Sequence, residues 1–413
     1  MGVQKGRRRI MVAVAALLAL GAGAAVGYRV LAPAEVVTPA QAALPPLVTP
    51  PTGVVGRLPA APLIVDGRLR VYAAQRQLYA DRPADSRHRV TPFWSYRRWP
   101  AQLDGVLVTG STVVSRWSDG KVVALDGRTG KVAWRADGPA PGEVSAARRT
   151  GAAVVWDPRG IFVAPGPDER MTLVVSGGGE LRGYALADGR ELWRATGGAD
   201  CRTDLGTSAA GQVLSVDACA GPASVEFRDA ATGVVTGRWR PPGAGPELSV
   251  TPLGCLTPRS QCRGLRTSDG RGWLVGPGGP PLAAPALDAD DIILSGEFAI
   301  GVTGGVLNGR EARTGRERWR RGDLGEVRVI AVEPGRVHVL TPERDLITLD
   351  PRTGAQRSRF PLTVGEDGLG WVPGLAYAVD GYVAVERIRE RARPEDDDQG
   401  WFLNSEPVVL AVT

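Results

Sequence analysis

The sequence predicts an all-β fold, a single β-propeller of four-stranded blades, on three observations. A strand–turn–strand segment at residues 122–135 returns as a close copy at residues 181–194. Weaker copies end at Trp239, Trp319 and Phe360. The 55 Gly and 33 Pro residues supply frequent turn signals, and helical periodicity is almost absent after residue 60. A repeat of this period predicts the architecture before any single residue is considered.

Each repeat contains a strand, a tight turn and a second strand that ends on a large aromatic residue. In the first copy, the apolar residues around Val122 and Ala124 predict the first strand. Thr129 and Gly130 follow where the chain must reverse, because Gly supplies positive φ and a Thr side chain can bond the turn backbone. The second strand then closes on Trp134.

The aromatic anchors are spaced as propeller blades are. The intervals between Trp134, Trp193, Trp239, Trp273, Trp319 and Phe360 are 59, 46, 34, 46 and 41 residues. Four-stranded blades take roughly 40–50 residues. The long first interval predicts an insertion at 139–149 or 165–169, and the short interval that ends at Trp273 predicts a trimmed blade.

The number of blades depends on the two chain ends. Phe93 and Trp94 end one more candidate unit, and about three strands follow Trp371. These C-terminal strands either complete the N-terminal blade, which gives seven blades, or form a blade of their own, which gives eight. We favour seven, because pairing the two chain ends removes the open sheet edges.

The N-terminus predicts a membrane anchor. A basic tail at residues 1–9 precedes an uncharged run at 10–28, and we predict a transmembrane signal-anchor helix at 10–30. Cations before the span predict a cytoplasmic N-terminus and a body on the extracytoplasmic side of the cell membrane. The alternative is a signal peptide cleaved near Ala40-Gln41-Ala42. We favour the retained single-pass anchor, because the apolar core of a signal peptide is shorter, about 7–15 residues.

Residues 31–60 are predicted to form a Pro-rich linker between the membrane and a propeller at 61–413. Six prolines between residues 33 and 51 disfavour both helix and sheet. A semi-extended linker of this length would hold the propeller tens of Å from the membrane.

The chain has four cysteines, Cys201, Cys219, Cys255 and Cys262, and all lie in the middle of the predicted propeller. An even number outside the cytoplasm favours disulfides. Of the three possible connectivities, we favour the local one, Cys201–Cys219 with Cys255–Cys262. No Cys-x-x-Cys spacing occurs and the chain has only two His residues, so no zinc site is expected.

The segment Ala124-x-Asp126-x-x-Thr129-Gly130-x-x-x-Trp134 resembles the tryptophan-docking motif of the pyrroloquinoline-quinone (PQQ)-like β-propeller repeat family. The resemblance covers roughly residues 60–413 and is strongest at 122–135 and 181–194. It implies that the Trp of one blade stacks on a peptide of the next blade and locks the ring. The docking residues that it implies are Thr129, Gly130, Trp134, Trp193, Trp239, Trp273, Trp319 and Phe360.

The family contains quinoprotein alcohol and sugar dehydrogenases as well as non-catalytic propellers, among them an outer-membrane assembly scaffold lipoprotein. The dehydrogenases often carry adjacent cysteines over the quinone and hold calcium with a Glu/Asn/Asp set beside an Asp base. Here no two cysteines are adjacent, and the candidate acids are scattered at Asp288, Asp290, Asp291 and 395–398. We interpret them as a strand lead-in and a solvated loop, with weak calcium binding at 395–398 as a minor alternative. We therefore expect no catalytic residues, no metal and no cofactor.

The charge distribution is mild. The formal net charge is +6, and four of the cations lie in the N-terminal tail. Arginine recurs beside the turns and the Trp positions, at Arg128, Arg135, Arg194, Arg238, Arg240, Arg318, Arg320 and Arg321. The structural interpretation is that these side chains lie over Trp rings or pair with acids. The functional alternative is a surface for an anionic ligand such as a phosphate-bearing wall polymer, whereas no nucleic-acid recognition motif is present.

Three functions remain for such a chain. We favour a membrane-tethered extracytoplasmic β-propeller that acts as a binding or scaffold module through its loops, with an envelope protein or cell-wall component as partner. The first alternative is a PQQ-dependent quinoprotein-like oxidoreductase. The second is the ectodomain of an envelope sensing or secretion assembly.

Overall fold

The structure, a computed structural model, describes residues 20–21, 23, 34–48, 50–82, 91–142, 150–198, 200–245, 247–289, 291–363, 371–388 and 406–413. The predicted basic tail, most of the predicted anchor helix and the acidic stretch at 395–398 lie outside these residues. Among the described residues, no helix is both long enough and apolar enough to cross a bilayer.

Eight antiparallel sheets follow one another around a ring, and each is one blade. Two strands precede the first blade in sequence, β1 (Ala34–Thr38) and β2 (Gly53–Leu58). Blade 1 contains β3 (Pro62–Val65), β4 (Leu69–Ala74), β5 (Gln77–Asp81) and β6 (Trp94–Trp99). Blade 2 contains β7 (Leu103–Thr109), β8 (Thr112–Trp117), β9 (Lys121–Asp126) and β10 (Val132–Asp137). Blade 3 contains β11 (Ile161–Pro165), β12 (Met171–Gly177), β13 (Glu180–Ala185) and β14 (Glu191–Thr196). Blade 4 contains β15 (Arg202–Thr207), β16 (Gln212–Asp217), β17 (Ser224–Asp229) and β18 (Val235–Trp239).

The second half of the ring repeats this arrangement. Blade 5 contains β19 (Val250–Leu253), β20 (Gly264–Thr267), β21 (Gly272–Leu274) and β22 (Leu282–Ala283). Blade 6 contains β23 (Ile293–Ser295), β24 (Phe298–Thr303), β25 (Val306–Glu311) and β26 (Glu317–Arg321). Blade 7 contains β27 (Arg328–Glu333), β28 (Arg336–Leu340), β29 (Asp345–Leu349) and β30 (Gln356–Pro361). Blade 8 contains β31 (Val372–Val379), β32 (Tyr382–Ile388) and β33 (Val408–Val412), and β2 is its outermost strand.

The ring has eight blades, so the prediction of seven is wrong. The C-terminal strands form a blade of their own, because blade 1 already has four consecutive strands from residues 62–99. The chain ends do pair, as the closure argument requires, but β2 from the N-terminal side joins the C-terminal blade. In that pairing Gly53 lies opposite Val412 and Leu58 lies opposite Val408.

The segment for which a linker is predicted contributes two strands to the ring. It supplies β2 to blade 8, and it supplies β1 as a fifth strand on the outer edge of blade 1. Prolines in the segment lie outside both strands. Valines fill the strands themselves, at Val36, Val37, Val54 and Val55, and they favour the extended conformation.

The long and the short interval between the aromatic residues correspond to an insertion and to a blade with short strands. The long first interval contains an insertion at residues 138–160, between β10 and β11, with one helical turn at Ala152–Val155. Residues 165–169 are instead part of the turn between β11 and β12, which includes a short 3-10 turn at Pro167–Glu169. Blade 5 is the trimmed blade, and its four strands contain four, four, three and two residues.

The core consists of the contacts between neighbouring blades. Successive residues of a strand point to opposite faces, so Val113 packs toward blade 1 and Val114 packs toward blade 3. Because both faces of a blade are covered, side chains on both faces of its middle strands are buried, polar ones such as Ser115 and Arg116 included. In β8 and β9, for example, the residues from Val113 to Trp117 and from Val122 to Leu125 are all buried.

Candidate functional site

The recurring turn has the same backbone geometry in five blades. In blade 2, Gly130 has φ +69° and its amide donates to the Asp126 carbonyl at 2.7 Å. The Thr129 hydroxyl accepts from the Lys131 amide at 3.3 Å, which ties the turn. Four glycines of other blades have φ between +69° and +74° and make the same amide-to-carbonyl hydrogen bond: Gly189, Gly233, Gly315 and Gly354. This conformation strains any residue with a Cβ atom, which explains the Gly.

The indole of one blade docks on this turn in the next blade. Trp134 Nε1 donates to the Leu186 carbonyl of blade 3 at 2.8 Å. Its ring lies against Gly189, where an added Cβ atom would come within 2.5 Å of the ring. The same arrangement joins Trp94 to Gly127 and Gly130, Trp193 to Ala230 and Gly233, and Trp319 to Pro351 and Gly354.

Three of the aromatic residues for which docking is predicted lie elsewhere. Trp239 and Phe360 follow their turn glycines by six residues, whereas Trp134, Trp193 and Trp319 follow theirs by four. In the register of the strands, Gly237 rather than Trp239 takes the docking position in blade 4. Ser358 rather than Phe360 takes it in blade 7.

These displaced aromatic residues pack locally. Trp239 and Trp273 meet edge to face, with ring centroids 4.8 Å apart. Trp273 Nε1 donates to Thr267 Oγ1 of its own blade at 3.1 Å. Phe360 joins the apolar cluster between blades 7 and 8. Trp94, which does dock, is not preceded by the turn motif, so only its position at the end of a candidate unit points to it.

The recurring arginines mostly pair with acids. Arg128 pairs with Asp66 of blade 1, Arg238 with Glu226 and Arg321 with Asp323. The same holds for Arg135 with Glu35, Arg194 with Glu191, Arg318 with Glu311 and Arg320 with Glu317, whereas Arg240 donates to backbone carbonyls. The residues of the repeat are therefore used by the architecture, and a binding site has to be sought elsewhere.

One insertion covers the channel along the ring axis at its upper end. We call lower the face that carries the turns between the first and second strands of each blade, and upper the opposite face. The described part of this insertion, residues 138–142 and 150–160, lies at the upper face, where Trp156 Nε1 donates to the Pro62 carbonyl of β3 at 2.9 Å. The Trp156 ring also stacks on Tyr377 of β31 with centroids 5.9 Å apart. This insertion therefore covers the innermost strands of blades 8 and 1.

The loop at residues 254–263, between β19 and β20, enters the channel from the lower face. Its Arg259 carbonyl accepts from the Thr207 amide of β15 at 2.9 Å, and its Ser260 hydroxyl accepts from the Val163 amide of β11 at 3.1 Å. The disulfide Cys255–Cys262 closes this loop, and the disulfide Cys201–Cys219 closes a turn of blade 4, so the predicted connectivity is confirmed.

The two insertions meet inside the ring. Arg259 Nε lies 2.7 Å from Asp157 Oδ1, which joins the loop of blade 5 to the segment that precedes blade 3. Both side chains are partly exposed, so this ion pair fixes geometry more than it adds stability. The two insertions together thus contact the inner strands of blades 8, 1, 3 and 4.

A pocket of about 480 Å³ remains at the lower face, beside the loop and against blades 5, 6 and 7. Leu294 and Phe298 of blade 6 form buried parts of its wall, and Leu256 of the loop is 55 % exposed at its rim. The side chains of Arg263 and Arg352 reach it and have no hydrogen-bonding partner within the described part of the chain.

The other charged groups of this pocket are mostly neutralised. Arg357 pairs with Asp350 at 2.6 Å. That pair and the backbone amides of the turn hold the pKa of Asp350 below its usual value, with the hydrogen bond from Arg357 as the largest cause. The Glu297 side chain is exposed and has no hydrogen-bonding partner in the regions that the structure describes. The pocket therefore combines an apolar wall with two unpaired cations and one unpaired anion.

A buried Glu–His pair lies behind the pocket. Burial opposes ionisation of Glu333, but hydrogen bonds from His338, the Gly381 amide and Arg336 lower the pKa of the carboxyl overall. Burial lowers the pKa of His338, whose Nε2 is 3.4 Å from Glu333 Oε1 and whose Nδ1 is 3.1 Å from Thr348 Oγ1. His338 is fully buried, so this pair joins blades 7 and 8 rather than facing a ligand.

A family model described as "Outer membrane protein assembly factor BamB" matches residues 48–163 and 93–250. The matches cover blades 1 to 4, in which the docking turn and the docking indole recur. The chain belongs to the PQQ-like β-propeller repeat family. No curated protein matches the chain.

The PQQ-like propeller also resembles solved structures at low sequence identity. The computationally designed Ika8 protein is 12% identical, with a TM-score of 0.52 over 87% of this chain and 99% of that one, which shows the fold alone. BamB from Moraxella catarrhalis is 13% identical, with a TM-score of 0.46 over 87% and 98%. The quinohemoprotein alcohol dehydrogenase ADHIIG from Pseudomonas putida HK5 is 12% identical, with a TM-score of 0.40 over 81% and 70%.

The described residues of this chain supply neither the adjacent cysteines nor the acid set that the resemblance associates with the quinone and calcium of the dehydrogenases. The four cysteines are paired within loops, so no adjacent pair is available to lie over a quinone ring. Across the described ranges, no group of three or more His, Cys, Asp or Glu side chains could hold a metal ion. Asp288 accepts a hydrogen bond from the Gly272 amide at 2.8 Å, Asp291 is exposed, and Asp290 lies outside the described residues.

Proposed function

We propose that the chain is a membrane-tethered, extracytoplasmic β-propeller that acts as a binding or scaffold module and has no catalytic activity of its own. The observation that carries the proposal is the pocket at the lower face of blades 5–7. It offers an apolar wall, an exposed leucine and two arginines whose side chains have no partner in the described part of the chain.

The disulfides and the N-terminal sequence support the proposed compartment. Two disulfides favour an oxidising environment outside the cytoplasm. The basic tail and the uncharged run at 10–28 supply the orientation and the length of a single-pass anchor. Cleavage near Ala40-Gln41-Ala42 would remove β1 from the edge of blade 1, which favours the retained anchor.

The chemistry of the pocket suits a protein partner of the envelope. Arginine is enriched at the centres of protein interfaces, because its guanidinium forms several directed hydrogen bonds while its stem packs on apolar surface. Leu256 is held at the rim by the Cys255–Cys262 disulfide, so little conformational entropy is lost when a partner covers it. A phosphate-bearing wall polymer is the alternative ligand, and it would need the arginines but not Leu256.

Site-specific crosslinking tests the pocket as the binding surface. A photoreactive amino acid replaces Leu256 in the full chain, and crosslinked products are collected from the native membrane and identified by mass spectrometry. We expect a defined protein adduct that is lost in the Arg263→Glu/Arg352→Glu variant and kept in Arg190→Glu, an exposed arginine of blade 3. Equal adducts in both charge variants would remove the pocket from the proposal.

The oxidoreductase alternative has a direct assay. The purified full chain is incubated with PQQ and calcium, and dye-linked oxidation of alcohols and sugars is measured. We expect no dye reduction above that of the chain without PQQ. Turnover that depends on PQQ would overturn the proposal of a non-catalytic module.

A further inference from the structure

Strand β1 determines how close the propeller lies to the predicted membrane anchor. β1 pairs with β6 along its whole length, from Ala34 opposite Trp99 to Thr38 opposite Ser95. Only residues 31–33 separate the predicted anchor helix at 10–30 from this strand. The chain therefore passes from the predicted membrane span almost directly into the outer edge of blade 1.

Several contacts fix β1 to the ring. Glu35 pairs with Arg135 of blade 2, and the hydrogen bond from Arg135 is the largest cause of a lowered pKa for Glu35. Val37 packs against the apolar cluster of blades 1 and 2. The Ala40 amide donates to the Thr129 carbonyl at 2.9 Å. The strand is consequently part of the folded ring and not a spacer.

The length of the connection limits the distance from the membrane. Tyr28 is the last residue of the uncharged run, and Ala34 is the first residue of β1. Six residues span at most about 20–22 Å when fully extended. The start of β1 thus lies within that distance of the end of the apolar run, which is far less than a free 30-residue linker would allow.

The surface beside the start of β1 has the chemistry of a membrane interface. We call it the blade-1 corner and define it by Val36, Arg76, Arg97 and Trp99. Val36 lies opposite Arg97, and Trp99 lies two residues farther along β6, so these three side chains share one face of the sheet. Val36 and Trp99 are 54 % and 39 % exposed.

The two arginines complete the corner. The Arg76 guanidinium lies 4.2 Å from the centre of the Trp99 ring. Arg97 is exposed, and its side chain has no hydrogen-bonding or ionic partner within the described part of the chain. Tryptophan is enriched where the bilayer meets water, and an arginine near an anionic surface is attracted to it electrostatically.

We propose that the blade-1 corner is a membrane-contact surface that binds anionic lipid headgroups and holds the propeller with blade 1 against the bilayer. This inference rests on the membrane anchor of the proposed function. It assigns an orientation: blade 1 lies at the membrane, and the opposite blade 5, with its channel loop and the lower-face pocket beside it, points away from the membrane.

Fluorescence quenching in vesicles tests the orientation. Because the four native cysteines are paired, one introduced cysteine takes a fluorophore selectively. The full chain is reconstituted in vesicles of phosphatidylcholine and phosphatidylglycerol that contain a nitroxide-labelled lipid. The label is placed by Val36→Cys in the corner or, as a matched control, by Leu282→Cys on the outermost strand of blade 5, where the side chain is also exposed.

We expect the nitroxide lipid to quench the label at position 36 roughly threefold more strongly than the label at 282, because only interfacial groups reach the quencher. Adding Arg97→Glu and Trp99→Ser should reduce the quenching at position 36, whereas adding Arg190→Glu should not. If the chain floats with the vesicles but the labels at positions 36 and 282 are quenched equally, the blade-1 corner does not contact the membrane. The proposal of a membrane anchor would not be affected by that result. A chain that stays in the aqueous phase would overturn the anchor as well.

Discussion

At the scale of single residues, two glycines with the same backbone separate turn strain from docking. Gly189 and Gly315 have φ +73° and +70° in equivalent turns. The Trp134 ring lies over Gly189, whereas nothing lies within 4 Å of a Cβ atom added at Gly315, because blade 5 has no docking indole. Both Ala variants should lose about 1–2 kcal/mol to the left-handed conformation.

The difference between the two variants measures the docking contact. We expect Gly189→Ala to lower the free energy of unfolding by several kcal/mol, in addition to the strain that Gly315→Ala shares, because the ring has to leave its place. Urea unfolding of the two variants and the wild type checks this. Equal losses would show that the turn alone, without the indole, requires glycine.

The indole itself gives the complementary prediction. Trp134→Ala should lower the free energy of unfolding by about 3–5 kcal/mol, as truncations of large buried aromatic residues do. Trp134→Phe should recover part of this loss but leave the Leu186 carbonyl without its donor, at a cost of about 1 kcal/mol. Urea unfolding measures both, with the exposed Trp99→Ala as control. A Trp134→Ala protein as stable as the wild type that had lost partner binding would contradict the structural role.

His338 predicts a pH dependence of stability. Burial lowers its pKa in the folded state below the value of 6.5 that an exposed His has. Below about pH 6.5 the unfolded chain binds a proton that the folded chain does not, so stability falls as pH falls. The loss is at most about 1 kcal/mol between about pH 6.5 and 5.5, because the unfolded His is half protonated at pH 6.5 and nearly fully protonated at pH 5.5.

The matched variant is His338→Gln, which keeps a polar group near Thr348 and removes the titration. Denaturant unfolding between about pH 5.5 and 7.5 should show a flatter pH dependence in the variant than in the wild type. His88 and the carboxylates are common to both proteins and cancel in the difference. Parallel curves would mean that His338 takes up its proton equally in both states.

The docking residues show how far the sequence leads at this scale. The repeat motif predicts docking at Trp134, Trp193 and Trp319. Each of these indoles lies four positions after its turn glycine, and this spacing places the ring over the next blade. The motif also predicts docking at Trp239 and Phe360, but these aromatic residues lie six positions after their turn glycines. Two extra residues shift a side chain by one full pleat, so those rings lie outside the docking position.

At the scale of elements, the channel loop depends on its disulfide. Cys255 and Cys262 are separated by seven residues, and a loop of this size is worth about 2–3 kcal/mol in the chain-entropy account. In the Cys255→Ser/Cys262→Ser variant, we expect faster hydrogen exchange at the amides that the loop binds or supplies, those of Thr207, Ala209 and Cys262.

The control is Cys201→Ser/Cys219→Ser, which removes the bridge between the ends of the β15–β16 hairpin and leaves the channel loop closed by its own disulfide. It should lower global stability by a similar amount, while the local protection of the channel loop remains. Unchanged exchange at Thr207 in the first variant would mean that inter-strand contacts hold the loop without the disulfide.

The sequence does not predict the positions of the channel loop, β1 and β2, because residues far away in the chain hold them in place. The channel loop is held by backbone atoms of β11 and β15, which lie about 50 to 100 residues earlier in the chain, and such contacts leave no local pattern. Likewise β1 and β2 are short valine-containing strands between prolines, and composition alone indicates an extended linker there. Only the partner strands β6 and β33 make them part of a sheet.

At the scale of the whole molecule, the number of blades depends on how many strands each end of the chain contributes to the blade that closes the ring. The prediction that the chain ends pair was sound, because an open ring would expose two sheet edges. It did not specify which end contributes one strand and which contributes three. Here one N-terminal strand joins three C-terminal strands, so an eighth blade exists where a shared seventh was expected.

The closure can be tested by moving β2 rather than by mutating it. Gly53 lies opposite Val412, so a tight turn after Thr413 can lead directly into Gly53 and rebuild the same antiparallel pair. One variant lacks residues 1–60. A second also lacks them but carries residues 53–58 after Thr413 and a short Gly-containing turn, so the two chains differ only in β2 and its turn.

We expect the first variant to lose stability and to associate, because β33 becomes an open, apolar edge strand. The second variant should recover a monomeric, cooperatively unfolding ring, since the pairing of β2 with β33 does not depend on the covalent link to blade 1. Size-exclusion chromatography and urea unfolding compare the two chains. If both behaved alike, closure by β2 would contribute nothing to the stability of the ring, and contacts between blades 8 and 1 would have to hold it.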